Sequence, residues 1–495
     1  MRHRHGVLFE LVSLGMLTAS SVAIAQQPAP SAPQPAAAAP APQVQPSAAA
    51  ATTVPADGPS APNADSVTDT FNLTEALRGG QPLSSIEAAK RAIETSPNLA
   101  KVEAQAAKAE AAAEQAFIAV YPKLDLEARY TRLSDITPYL SSELRSSGII
   151  KFYPDNYLFQ ARLSWPVSAL FFTILPRHAA LEKVAESQKV QTFVEHQTVK
   201  LRTREAYYNY ARARAALMVQ KSALAQAEAQ RKDSEALVSA GSVARVELVR
   251  AVARVAAAKV SLIRADFAVS TARAALYSIV HIDGSQDITI SENLEEELPW
   301  INQDEESVYK TALSRRSELR ALRILAESQE HFIAAARGQA LPVLALGGTA
   351  EEGNPNQRIF GTTNKFLPSW QVFASLVWTP TDTFSGLKDM DQAKFDYAAT
   401  QADVRSLQDG LRVEVSQAYN GLAAARAALS STRAGIEAAE ESYRVRREQY
   451  RAGAAIAVDV LDAEQALTQA RLELINALIE QRIARARLDR AVEAD

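Results

Sequence analysis

Two carboxylates stand three residues apart, at Asp459 and Asp462, within the stretch Tyr450-Arg-Ala-Gly-Ala-Ala-Ile-Ala-Val-Asp-Val-Leu-Asp-Ala463. That spacing puts both on one face of a helix. Such a pair can exchange protons, hold a cation or, repeated around a pore, decide which ions pass. Proton chemistry needs companions that this composition withholds. There is no cysteine, so disulfides, thiolate metal sites and a cysteine nucleophile are excluded. His3 and His5 sit at the extreme N-terminus, and His178, His196, His281 and His331 are scattered without ligand spacing. No glycine-rich phosphate loop and no nucleophile–base set is found. The net charge of −4 offers no basic field for nucleic acid. No enzyme, metal or cofactor is expected. A plainer role for Asp459 is stabilisation by the macrodipole of a helix start.

The elements that position the pair are helical hairpins. Gly453 suits the left-handed residue that ends a helix, here a pattern from about Lys394 to Arg451. The next pattern runs from about Ile456 to Ala494. The stretch Ala240-Gly-Ser-Val-Ala-Arg-Val-Glu-Leu-Val-Arg250 has the same layout, with Gly241, Val246 and Glu247 each 212 residues before Gly453, Val458 and Asp459. Val194, Leu201, Tyr208 and Ala215 recur every seven residues, as do Leu248, Val255, Leu262, Val269 and Leu276. Val415, Leu422, Leu429 and Ile436 form a third seam, and Val460, Leu467, Leu474, Gln481 and Leu488 a fourth. These are coiled-coil stripes. Residues 84–121 read as a helix with Ser84 or Ser85 as cap and Pro97 as a kink or a new first turn. Ala92, Leu99 and Pro122 are matched 220 residues later by Ala312, Leu319 and Pro342. The chain reads as a duplication: residues 67–282, an acidic connector 283–306 with a solvated charge run, and residues 307–495.

Period two replaces the helical period in four places. Leu124, Leu126, Ala128 and Tyr130 alternate with Asp125, Glu127, Arg129 and Thr131; Phe159, Ala161, Leu163, Trp165 and Val167 alternate with Gln160, Arg162 and Ser164. Leu344 and Leu346 repeat the first strand. Trp370, Val372, Ala374, Leu376 and Trp378 share a face of the fourth. Strands of ~9–11 residues with aromatic ends have the length of tilted membrane strands. Four strands cannot close a barrel, and lipid tolerates no open edge, so several copies are expected to share one. The long helices, of about 60–70 residues, span about 90–100 Å, with two short helices laid end to end beside each. Residues 1–25 read as a secretory signal and 26–66 as a mobile Pro/Ala-rich linker. The expected fold class is α+β: a long antiparallel α-helical coiled-coil barrel plus a transmembrane β-barrel shared between protomers, in two internal repeats. A soluble periplasmic coiled-coil scaffold is the alternative.

With both halves in view the chain resembles the TolC-type outer membrane efflux protein family over about Leu83 to Ala494. The resemblance rests on the two tips, on Val458-Asp459-Val-Leu-Asp462-Ala463, and on Pro380, Gly386 and Ala393 after the fourth strand. It implies a homotrimer in outer membrane lipid, the passive exit duct of a tripartite efflux pump or a type I secretion system, acting with a periplasmic adaptor and an inner-membrane transporter of RND, ABC or MFS type. It implies carboxylate rings at a constriction from Asp459 and Asp462, with Tyr450 and Glu247 in the network that latches it. Adaptor docking falls to Gly241, Ser242, Val243, Ala244, Gly453, Ala454 and Ala455. Two departures stand out. Ala455 occupies the place of a latch arginine, leaving Arg245 or Arg250 as candidate replacements. Leu170-Phe171-Phe172-Thr173-Ile174 replaces the glycine expected after the second strand, which leaves the strand-to-helix joint open.

Overall fold

The computed structural model of the chain describes residues 80–134, 153–284, 286–299, 302–356, 358 and 363–493. The expected signal at 1–25, the linker at 26–66 and most of the loop after the first strand lie outside the described residues. A short strand β1 (Gln81–Leu83) precedes α1 (Ser85–Thr95) and α2 (Pro97–Ile118). Strands β2 (Lys123–Arg132) and β3 (Asp155–Trp165) follow, then α3 (Leu175–Ser239) and α4 (Arg245–Val280). After β4 (Ile288–Ile290) come α5 (Glu305–Arg315), α6 (Ser317–Gln339), β5 (Val343–Asn354), β6 (Leu367–Val377), α7 (Pro380–Arg451) and α8 (Ala457–Ala491).

Local chemistry sets the helix ends. Ser84 Oγ accepts the Glu87 N–H at 3.1 Å while the Glu87 carboxylate accepts the Ser84 N–H at 2.9 Å, a reciprocal cap. The Ser84 N–H holds the Glu87 carboxyl below its usual range. Pro97 starts a new helix: Ser96 Oγ accepts the Leu99 N–H, and the proline sits where no intrahelical N–H is needed. The corresponding break between α5 and α6 has no proline. There Glu493, from the far end of the chain, accepts the Ser317 N–H at 2.9 Å and the Ser317 hydroxyl at 2.7 Å. Arg316 pairs with Glu414 and Glu318, and Arg490 with Glu318, around this joint.

The helices pack side by side around the two long ones. α3 packs against α2 and α4 on one side and against α6 and α8 on the other, and α7 packs against α6 and α8. Each long helix, of 65 and 72 residues, reaches about 100 Å at ~1.5 Å per residue. α1 meets the end of α4, where Thr95 Oγ1 lies 3.2 Å from His281 Nδ1. Three short helices, where two were expected, therefore match one long one: α2, α1 and α4, of 22, 11 and 36 residues, beside the 65 of α3. The largest apolar core lies at this mid-level, with Tyr207, Tyr210, Leu276, Val280, Ile475 and Ile479 buried together. The connector is part of it. β4 pairs in parallel with β1, and Glu292 accepts the Ser85 N–H at 2.6 Å and the Tyr208 hydroxyl at 3.0 Å. The expected solvated acidic run is thus right for Glu295 to Glu297, which are exposed, and wrong for Glu292. That carboxylate answers a helix-start donor, and Arg482 ties the connector down through the Asn293 and Glu296 carbonyls.

The four long strands form one antiparallel sheet in the order β2-β3-β5-β6. The register lines up Leu126, Ala161, Ala350 and Trp370 on one face. Asp125, Arg162, Thr349 and Gln371 line up on the other. Leu126, Phe159, Trp370, Val372 and Leu376 stand exposed on the apolar face. On the opposite face Phe373 lies over Gly347, where a Cβ would come within 2.4 Å of the ring. Trp165 Nε1 donates to the Val120 carbonyl and Trp378 Nε1 to Thr383 Oγ1, both at 3.0 Å, so each tryptophan pins a strand end to its helical joint. The first joint is a π-helical turn at Leu170–Ile174. The Phe172 carbonyl there occupies the space that a Cβ on Gly338 would need, 1.9 Å away. Gly386 fits against the Ala340 backbone from the α7 side, so the end of α6 is gripped from both neighbours.

Candidate gate at the helical tips

Both tips close the same way. Gly241 N–H donates to the Val238 carbonyl and Ser242 N–H to Leu237; Gly453 N–H donates to Tyr450 and Ala454 N–H to Gln449. This double bond pair needs a left-handed residue, and both glycines have φ of +73°. No atom crowds either position, so backbone conformation alone calls for glycine. Glu247 N–H donates to the Ala244 carbonyl as Asp459 N–H does to Ile456. The two acidic residues therefore occupy equivalent first-turn positions.

Asp459 is half-buried and Asp462 exposed on the same side of α8. The Arg446 guanidinium, from α7, lies 4.0 Å from Asp459. Glu247 is taken by Arg250 of its own helix at 2.9 Å, and its second oxygen is buried without a hydrogen bond. Arg245 is exposed. Tyr450 is buried with Leu237, Tyr443, Ala457 and Val460, and its hydroxyl lies 3.3 Å from Ser234 Oγ on α3. Within one protomer Tyr450 thus bridges to Ser234 rather than to Glu247. The small residues Ser242, Ala244, Gly453 and Ala454 are presented to solvent, with Val243 and Ala455 half-buried.

The residues that tie one hairpin to the other were not singled out from sequence. Arg451 Nε reaches Asp233 Oδ2 at 3.3 Å, beside the Tyr450–Ser234 contact. Higher up, Glu464 of α8 accepts from Arg254 of α4. Arg471 of α8 binds Glu440 of α7 and Ser222 of α3. Burial pushes the Glu464 carboxyl above its usual range, against the pull of Arg254. Burial likewise pushes the Tyr443 hydroxyl up. A signal for the second pair existed: Ala457, Glu464, Arg471 and Leu478 share one heptad column, and two charges in a packing column call for partners. This arrangement ties the ends of the two hairpins together through ion pairs and hydrogen bonds.

The family model described as "Outer membrane efflux protein" matches residues 88–280 and 308–493. Outer membrane protein OprJ of Pseudomonas aeruginosa is 30% identical over 139 residues, a stretch that spans 28% of this chain and only 29% of that protein. The outer-membrane channel OprN superposes with a TM-score of 0.70 at 18% identity, covering 88% of this chain and 99% of that one. The Campylobacter jejuni CmeC outer membrane channel gives a TM-score of 0.71 at 15% identity, covering 82% and 85%. These two likenesses speak to the fold. By the family match the chain belongs to the outer membrane efflux proteins, placed in the outer membrane of a Gram-negative cell with a periplasmic helical domain.

Proposed function

We propose that three copies of this chain form a passive exit duct, gated at the helical tips. The observation that carries it is the pair of open edges. β2 and β6 end the sheet, and the same two sides end the helical layer, at α2 with α4 and at α7. Phe267 of α4 and Phe395 of α7 stand on those sides with 73% and 74% of their surface bare. Different edges meeting head to tail generate a ring, and unpaired strands are not tolerated in lipid. Three chains of four strands each would make a barrel of twelve, with the faces of Asp125, Glu127, Arg129 and Arg162 on the water side. The matching element starts, such as Lys123 with Val343 and Arg245 with Ala457, support two internal repeats, residues 67–282 and 307–495 about the 283–306 connector. The tips then point into the periplasm, where an adaptor would dock on Gly241, Ser242, Val243, Gly453, Ala454 and Ala455. An inner-membrane transporter would supply the energy.

Asp459 and Asp462 from each copy would ring the narrow end, with Tyr450, Glu247, Arg245 and Arg250 around them. Charged rings select ions. The test is the double substitution Asp459→Ala/Asp462→Ala in a planar bilayer. Cation preference and block by divalent cations are expected to fall by about an order of magnitude. Unchanged conductance and unchanged block would remove both aspartates from the gate.

A further inference from the structure

Among the described residues no carboxylate is buried as deeply as Glu464, which is 1% exposed. It lies about two turns into α8, counted from Ala457. Oε1 takes two long bonds of 3.4 Å from Arg254 Nε and Nη2, and Oε2 has no hydrogen-bond partner. Arg254 belongs to α4, in the other hairpin, and keeps 26% of its side chain in contact with solvent. A buried ion pair with an unsatisfied oxygen is a poor source of stability. Protonation removes the buried charge, and Arg254 can turn to water.

The other charged groups nearby do not neutralise Glu464. On α7, Tyr443 feels its charge, together with those of Arg447, Arg451 and Arg471. Arg451 is held by Asp233 and Arg471 by Glu440. On α3, Arg231 pairs with Glu235, Lys232 is exposed, and the buried Gln230 and Ser234 carry no charge.

We propose that Glu464 and Arg254 form a proton-responsive clasp that positions the gate-bearing helix. With Glu464 protonated the two hairpins stay packed; with it ionised, α8 is drawn off α4 until water reaches the carboxylate, and the tip loosens. The consequence for the tip rests on the duct reading, because α8 also carries Asp459 and Asp462. The sign follows from burial. In the packed state the Glu464 carboxyl is held above its usual range by desolvation, with Arg254 opposing. Once α8 moves away the group returns to the ordinary value. The packed state therefore gains stability that is complete below the ordinary carboxylate pKa and is lost as pH rises through the raised one. Acid tightens this clasp, and a rise in pH through the raised value releases it.

The chain has no cysteine, so Lys259→Cys on α4 and Gln465→Cys on α8, in full-length protein co-assembled with an excess of unlabelled chain, give one spin-label pair per particle. Distances measured from acid to neutral pH are expected to lengthen in one titration step. Glu464→Gln, which mimics the protonated group, is expected to lose that step and hold the short distance throughout. Arg254→Met removes the counter-charge and is expected to move the midpoint to higher pH. A distance independent of pH overturns the clasp, and so does a step that survives Glu464→Gln. A step that vanishes only in Asp459→Asn/Asp462→Asn belongs to the tip ring and overturns it too. Bilayer recordings on the same preparations separate the two readings. Failure of the wild type to form channels refutes the duct, while the distances still decide the clasp.

Discussion

Leu126→Arg is expected to abolish membrane assembly, whereas Gln160→Arg, at the same level of the sheet on the opposite face, is expected to assemble normally. Leu126 is 76% exposed on the apolar face, level with Ala161 on the neighbouring strand. An arginine near the bilayer midplane costs about 2–4 kcal/mol on the lipid face of a membrane barrel. Three copies in one particle multiply that to roughly 6–12 kcal/mol, comparable to the whole stability of a typical domain at ~5–15 kcal/mol. Gln160 points the other way, with its amide 3.4 Å from Glu351. An arginine there meets a carboxylate and water. The measurement is the fraction of heat-sensitive oligomer recovered from membranes. Equal recovery of both variants would mean that the apolar face of the sheet does not contact lipid.

The second large effect is expected from cutting the tie between hairpins with Tyr450→Phe and Asp233→Ala together. The first removes the hydroxyl that meets Ser234 and leaves the ring in its apolar cluster. The second frees Arg451. A net hydrogen bond contributes about 0.5–1.5 kcal/mol and a part-exposed ion pair about 0.2–1 kcal/mol. Summed over three protomers the loss is roughly 2–7 kcal/mol, enough to shift a closed–open equilibrium by about 30-fold or more. The expected reading is a several-fold rise in single-channel conductance in planar bilayers, with unchanged oligomer yield. Conductance equal to wild type would show that these contacts do not hold the tip.

The sequence announces what repeats or alternates. The two tip glycines, the offset between Pro122 and Pro342, and the alternation from Leu124 to Thr131 are periodic or punctuating signals, and β2, β5 and both hairpin ends lie where those signals fall. Ser96-Pro97 announces a helix break in the same way. Long-range partners are silent. Nothing near Ser317 foretells that Glu493 caps it, and nothing in an acidic run marks Glu292 as the residue that answers Ser85 and Tyr208. The place of Asp459 and Asp462 at a helix start was legible because they follow a glycine tip. Asp233, Ser234 and Arg451 were not, because a pair 218 residues apart needs the packed layer before it exists. The missing joint glycine was visible, but not the π-turn that replaces it. That turn depends on how Phe172 meets Gly338 from the other half of the chain.

The mass of the membrane-extracted particle in detergent, corrected for bound detergent, tests the shared duct most directly. The open edges of sheet and helical layer predict several chains in one heat-sensitive particle, recovered from the membrane fraction and absent from the soluble one, and the family resemblance sets their number at three. A water-soluble monomer or dimer would contradict the duct and give the exposed face of the sheet to a protein partner instead.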